Sequence, residues 1–348
     1  MPTVKVDTDK MVEFLVGLLN TPSPTGFHER AISYCETAFA GLPLKWAQTN
    51  KRALVGTWDG PSETPRGLTA HIDTLGAMVQ QVKSDGRLKL TQLGGWAWGS
   101  VEGEGVTIQT LSGKSIRGTI LPTKASVHIY GQEARDFKRE AENYEVRPDI
   151  KTSSAAETRT AGIDVGDYVF FDPRVEVLDN GYIRSRHLDD KASVACIFGA
   201  LHGLVEAGLS PAGRTTIHIS NYEEVGHGAA TGFPGDLVEL LTIDMAAAGG
   251  PQNSDEFSVG ICVKDSAGPY HYDMTQKLIS LASAAKIPYK TDTYPYYGSD
   301  GEAYWRAGGD VRVALIGPGV DGSHHYERTH RDSLAATAQL IAEYLLSK

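Results

Sequence analysis

The sequence predicts an α/β protein: a mostly parallel sheet with helices on both faces, into which a small β-rich, barrel-like domain is inserted. Three observations predict it. Apolar stripes at helical spacing alternate with short apolar runs toward both ends of the chain, the pattern that strand-helix-strand units leave in a sequence. Between about residues 78 and 186 that pattern gives way to short segments separated by glycine-containing turns. The length, 348 residues, exceeds what one core usually holds and falls short of three. One large domain (1–77 and 187–348) interrupted by a smaller one (78–186) is therefore expected.

Met11, Phe14, Leu15, Leu18 and Leu19 form a helical stripe within residues 4–19, stopped by Asn20-Thr21-Pro22-Ser23-Pro24-Thr25-Gly26. A second helix is expected over 28–39, then two buried strands, 53–57 and 67–72, separated by a Gly/Pro-rich loop. Inside the insert, 87–90, 105–109, 126–129 and 168–171 are short strand candidates. The charged stretch 131–160 is expected to be a partly mobile surface excursion, because it has little to bury. After Asp189, the stripe Val194, Ile197, Phe198, Leu201 and Val205 marks a helix ending near Gly208. Strands follow at 215–220, 240–243 and 311–316, with helices at 274–285 and 333–346.

Composition narrows the function. Hydrophobic residues at 41% and charged residues at 22% suit a folded globular chain. Apolar runs such as 192–200 are shorter than the roughly 20 residues a membrane span needs, and residues 1–10 carry no apolar signal core, so a cytoplasmic location is expected. The formal charge of −10 repels phosphate backbones and anionic lipid, which makes neither nucleic acid nor a membrane an expected partner. Cys35, Cys196 and Cys262 show no paired spacing and are expected as buried thiols.

Ligands of open α/β sheets gather beyond the carboxyl ends of the strands, and five segments put polar groups there. They are Ala70-His71-Ile72-Asp73, His187-Leu188-Asp189-Asp190-Lys191, Ser220-Asn221-Tyr222-Glu223-Glu224-Val225-Gly226-His227-Gly228, Leu241-Thr242-Ile243-Asp244 and Ser323-His324-His325-Tyr326-Glu327. Taken singly, each has an ordinary reading; the Asp-Asp pair, for instance, suits a helix N-terminus. Glu223 and Glu224 are harder to explain that way, since adjacent carboxylates at the end of an apolar strand repel each other unless a cation lies beside them. Together the segments supply the imidazole and carboxylate mixture that holds paired Zn²⁺ or Co²⁺, with Mn²⁺ also possible.

These segments, in this order, resemble the tetrahedral or glutamyl aminopeptidase family of two-metal peptidases. Thr21-Pro22-Ser23-Pro24-Thr25-Gly26, Leu93-Gly94-Gly95-Trp96, Val165-Gly166-Asp167 and Gly298-Ser299-Asp300-Gly301 extend the resemblance over nearly the whole chain. It implies a phosphorylase/peptidase-like domain in which Asp189 bridges two divalent metals, His71 and Asp244 complete one site, and Glu224 and His324 complete the other. Glu223 would be the general base, Asp73 would orient His71, and 298–301 would shape the substrate pocket. The implied activity is removal of N-terminal residues from short peptides by a homo-oligomer, dimer to dodecamer, assembled through the insert.

Lys191 stands where the family usually has arginine, and the terminal loop 323–330 offers His324, His325 and His330 where the family has one histidine. His324 is favoured by its distance from the preceding strand, with His325 second. His187 and His227 are candidates for supporting roles, whereas His28, His128, His202, His218 and His271 have no carboxylate pattern beside them. Two other functions remain open: a hydrolase of the same architecture acting on a modified dipeptide or N-acylated metabolite, and a non-catalytic, metal-stabilised assembly subunit. The retained Glu223 argues against the latter. A glycosidase is disfavoured, because consecutive residues do not flank a bond at a separation of about 5–9 Å.

Overall fold

The computed structural model describes residues 4–348. Two compact units result: Met1–Asp73 with Arg174–Lys348, and Thr74–Pro173. The larger unit opens with α1 (Thr8–Leu19), α2 (Glu29–Phe39), β1 (Lys45–Gln48) and β2 (Leu54–His71). Helix α1 starts four residues later than the expected range 4–19, because the Asp7 carboxylate accepts the Lys10 amide and caps it. The two strands expected at 53–57 and 67–72 are limbs of the single long strand β2.

The smaller unit contains β3 (Gly76–Val82), β4 (Leu88–Leu93), β5 (Gly105–Gln109), β6 (Ser115–Pro122), α3 (Val127–Tyr130), β7 (Tyr144–Pro148), α4 (Ala155–Thr160) and β8 (Tyr168–Phe171). Its strands close into an antiparallel barrel in the order β3-β4-β7-β6-β5-β8. Alternate residues such as Val79, Leu90, Val106, Ile108, Val146 and Val169 fill it. The first and last strands are neighbours, Ala77 lying opposite Val169.

Two expectations fail here. The strand expected at 126–129 is instead the short helix α3, Val127–Tyr130, with Ser126 as its N-cap. The stretch 131–160, expected as a surface excursion, supplies β7, which pairs with both β4 and β6. Its Tyr144 and Val146 are buried, and the carboxylate of Glu145, 2% exposed, accepts hydrogen bonds from Lys83 and Arg87. Paired charge lets a polar-looking segment enter a sheet.

The chain then returns to the larger unit with β9 (Glu176–Val177), β10 (Tyr182–Ser185), α5 (Leu188–Glu206), β11 (Gly213–Ser220), β12 (Glu239–Ile243), β13 (Ala246–Ala248), β14 (Val259–Lys264), α6 (Tyr272–Ala285), β15 (Tyr289–Thr293), α7 (Asp300–Arg306), β16 (Arg312–Asp321), β17 (Glu327–His330) and α8 (Arg331–Leu346). Strands β9 and β10, assigned to the insert by sequence, belong instead to this unit, because β10 pairs with β17.

Among the described residues, the sheet of the larger unit has 11 strands. It is parallel at its centre, where Leu68 of β2 faces Ile217 of β11 and Leu241 of β12, and Leu241 faces Ala314 of β16. Antiparallel pairings of β1, β14 and β17 make its margins mixed. Side-chain alternation divides two cores: Leu241, Ile243, Ala314 and Ile316 pack with residues of α1, α5 and α8, while Leu240, Val313 and Leu315 join Tyr304 and Trp305 of α7. Among the described residues no helix is long and apolar enough to cross a membrane.

Lys191 is fully buried in α5 and donates from Nζ to the carbonyls of Leu18, at 3.0 Å, and Thr21, at 2.7 Å. Its cation satisfies backbone oxygens at the end of α1, fastening that helix to the segment that carries Asp189. Burial lowers its pKa to about 7.

Candidate metal centre

The parallel strands β2, β11 and β12 end at His71, Ser220 and Ile243, so the residues just beyond them converge at one edge of the sheet. Asp73 follows β2, Glu223 and Glu224 occupy the turn after β11, and Asp244 follows β12. Asp189 enters from the start of α5, across a cis peptide to Asp190, and His324 from the loop between β16 and β17.

Asp189 lies between two imidazoles. Its Oδ1 is 3.2 Å from His71 Nε2, and its Oδ2 is 3.3 Å from His324 Nε2. The same ring atom of His324 is 3.7 Å from Glu224 Oε2, and that of His71 is 3.7 Å from Glu223 Oε2. Asp244 completes a group with His71 and Asp189 in which one ligand atom from each lies within 4.8 Å of the others. A cleft of about 430 Å³ opens onto Asp189, Glu223, Glu224, Asp244 and His324. His325 turns outward, its Nδ1 accepting the Tyr326 amide at 2.9 Å. The His227 ring stacks on Tyr222 at 5.2 Å.

Three buried carboxylates hold this arrangement through backbone amides. Asp73 accepts the Thr25 hydroxyl at 2.6 Å and the amides of Glu223 and Glu224 at 3.1 and 3.4 Å. The nearer partner of His71 Nδ1 is the Asp73 carbonyl, at 2.9 Å; the carboxylate is 3.6 Å away. Orientation of that imidazole thus falls mainly to the main chain, while the side chain fixes the glutamate turn. Glu327 accepts the amide of Asp189 at 3.1 Å and that of His324 at 3.0 Å, joining two separate segments. Asp300 accepts the Ser220 hydroxyl, the Thr69 hydroxyl at 3.2 Å and the Ala229 amide at 2.8 Å.

Sequence reasoning assigns no role to Glu327 or Asp190. Both lie inside segments it singles out, yet nothing local separates Glu327 from a surface glutamate. His187, Tyr222 and His324, each at or beside a candidate segment, have φ of 72°, 64° and 63°, a left-handed backbone that costs of order 1 kcal/mol apiece.

Electrostatics show what the centre lacks by itself. Burial pushes Glu224 up to about 8 and Asp244 up to about 7, the charge of Asp189 adding to each, against the pull of His324 on the former and His71 on the latter. Glu223 and Asp190 are raised well above the carboxylate range, first by burial and then by Asp244 against the pull of His71. Asp189 resists its own burial because His324 and His71 hold it well below that range. Glu224 Oε1 and Asp190 Oδ1 are buried with no hydrogen-bond partner. Crowded, desolvated oxygens beside two imidazoles fit divalent cations, which would satisfy them and remove the repulsion.

Fold and site together define a peptidase. A family profile for M42 glutamyl aminopeptidases matches residues 53–340, and the chain belongs to that family. YhfE of Bacillus subtilis (strain 168), named as a candidate aminopeptidase, is 45% identical over 339 residues, covering 97% of this chain and 98% of its own. In fold, the TET aminopeptidase of Thaumarchaeota archaeon SCGC AB-539-E09 superposes with a TM-score of 0.88 at 20% identity, covering 97% of this chain and 96% of that one. The Pyrococcus horikoshii TET1 peptidase, which can assemble into a tetrahedron or a large octahedral shell, gives 0.84 at 22% identity, covering 97% and 100%.

The raised carboxylates set a pH dependence. In the unfolded chain they titrate near 4. The metal-free folded centre keeps Asp244 and Glu224 protonated up to about 7 and about 8, so above pH 4 the folded state binds more protons and stability falls as pH rises. Urea midpoints of metal-free protein should fall between about pH 5 and 8, and saturating Zn²⁺ should abolish that fall. In metal analysis, His324→Ala should bind less metal than the unaltered protein, whereas His325→Ala should match it.

Proposed function

We propose that the protein is a metal-dependent aminopeptidase that removes N-terminal residues from short peptides. The observation that carries this reading is the convergence of His71, Asp189 and Asp244 within one ligand-sized cluster beside Glu223. Asp189, with one oxygen toward each imidazole, would bridge two cations, His71 and Asp244 completing one site, Glu224 and His324 the other. Bound there, Zn²⁺, Co²⁺ or Mn²⁺ supplies Lewis acidity and positive charge, which acidify water and polarise a scissile carbonyl.

The consecutive glutamates divide the work by burial. Both line the cleft, but the side chain of Glu224 is 4% exposed and lies 3.7 Å from His324 Nε2 among the candidate ligands, whereas that of Glu223, at 18%, is the more accessible. Glu223 takes a proton from the attacking water and returns it to the leaving amine. Asp73 fixes the turn that carries both carboxylates by holding both of their amides. Three free cysteines suit a reducing, cytoplasmic setting.

The TET neighbours support a further part of the proposal, that the chain works as a homo-oligomer; the family resemblance would put the interface on the inserted barrel, and closed packing would admit only short or unfolded peptides. Glu223→Gln should keep its full metal content and lose roughly 10³-fold in kcat on leucyl p-nitroanilide; undiminished turnover would remove Glu223 from the base role. Light scattering should give at least twice the mass of one chain, and a monomer at micromolar concentration would remove the assembly proposal.

A further inference from the structure

The lining of the cleft is of two kinds. Beside the candidate ligands it presents Met245, Tyr296 and Tyr297, and neither lysine nor arginine lines it among the described residues. Lys51, a cation adjoining the Glu223 turn, lies outside that lining and donates to the carbonyls of His227 and Gly228.

Tyr296 is 97% exposed, an extreme value for an aromatic residue, although its backbone is held on both sides. The preceding Tyr294 is buried, its hydroxyl 2.8 Å from Ser254 Oγ. Ser266 Oγ donates to the Pro295 carbonyl at 3.1 Å and accepts the Tyr297 amide at 2.7 Å, and the Tyr297 hydroxyl donates to the Met245 carbonyl at 2.7 Å. A pinned turn that displays a ring beside a cleft leaves apolar area for a bound molecule to cover.

We infer that Tyr296, with Met245 and Tyr297, selects substrates whose N-terminal residue has a large apolar or aromatic side chain and rejects acidic ones; this rests on the aminopeptidase reading above. In that reading the substrate amine and the scissile carbonyl both sit at the candidate ligands, so the side chain between them falls within the same cleft. A leucyl or phenylalanyl side chain buries its area on the rings. An aspartyl or glutamyl carboxylate would leave water for a lining in which, among the described residues, neither lysine nor arginine is present to pair with it. The chain would thus depart in specificity from the glutamyl preference in its family's description.

The test compares alanyl, leucyl, phenylalanyl and glutamyl p-nitroanilides on the metal-loaded, full-length protein. The kcat/KM for the leucyl and phenylalanyl substrates should exceed that for the glutamyl substrate by about 100-fold or more. Tyr296→Ala should lower the phenylalanyl-to-alanyl ratio of kcat/KM roughly tenfold, mainly through KM, and Tyr296→Phe should restore the ratio. Glutamyl turnover equal to leucyl turnover would overturn the inference, as would an unchanged ratio in Tyr296→Ala. A Tyr296→Ala protein that loses all four activities alike, or changes its mass in solution, would give the ring a structural or interface role and overturn the inference too. If wild-type protein turned over none of the four, the aminopeptidase reading itself would fall.

Discussion

Carboxylates removed from water repel one another, and this chain gathers Asp189, Asp190, Glu223, Glu224, Asp244, Asp300 and Glu327 in or around one buried centre. Much of the surrounding structure answers that repulsion. Two imidazoles flank Asp189, and backbone amides point at Asp73, Asp300 and Glu327. An amide supplies partial positive charge without a flexible side chain, so each such bond both lowers the cost of burial and fixes a segment. Among the candidate ligands, Glu224 and Asp244 are left without enough compensation from the protein, a deficit that a bound cation would make good.

The same logic explains how far the sequence could be read. Helices α5, α6 and α8 were legible because their apolar stripes repeat at helical spacing, and β11 and β12 because short apolar runs end in polar residues at the edge where ligands collect. His71, Asp189, Glu223, Glu224, Asp244 and His324 stood out as reactive types at such ends, which placed them near one another before any distance was known. What escaped was whatever depended on a distant partner. Strand β7 looked polar because Lys83 and Arg87, far from it in sequence, neutralise Glu145. Strand β10 looked like part of the insert because β17, its partner, lies near the other end of the chain. Glu327 looked like any glutamate because the amide of Asp189 reaches it only across the fold.

Asp73 shows how one residue serves neighbouring roles through different atoms. Alternation along an extended chain puts its side chain on the same side as that of His71, which is why an orienting carboxylate was expected. In the structure the carbonyl takes the closer imidazole contact, and the carboxylate is free to bind the turn with Glu223 and Glu224. The strand of one ligand thereby sets the position of the turn that carries another. Lys191 adds a third connection, from the helix of Asp189 to the end of α1.

The pairing of β3 with β8 bears on how quickly such a protein can assemble. Strand β2 must find β11 and β12 across the whole insert, a long excursion whose closure is entropically costly in an unordered chain. Because the barrel's entering and leaving strands are hydrogen-bonded neighbours, a barrel that forms early brings its two ends together and acts as a short tether. Cutting the roughly 140 residues between β2 and β11 to an effective loop of about 45 lowers the closure cost by about 1 kcal/mol. An interruption of the catalytic sheet can therefore hasten its completion, provided the interruption folds first.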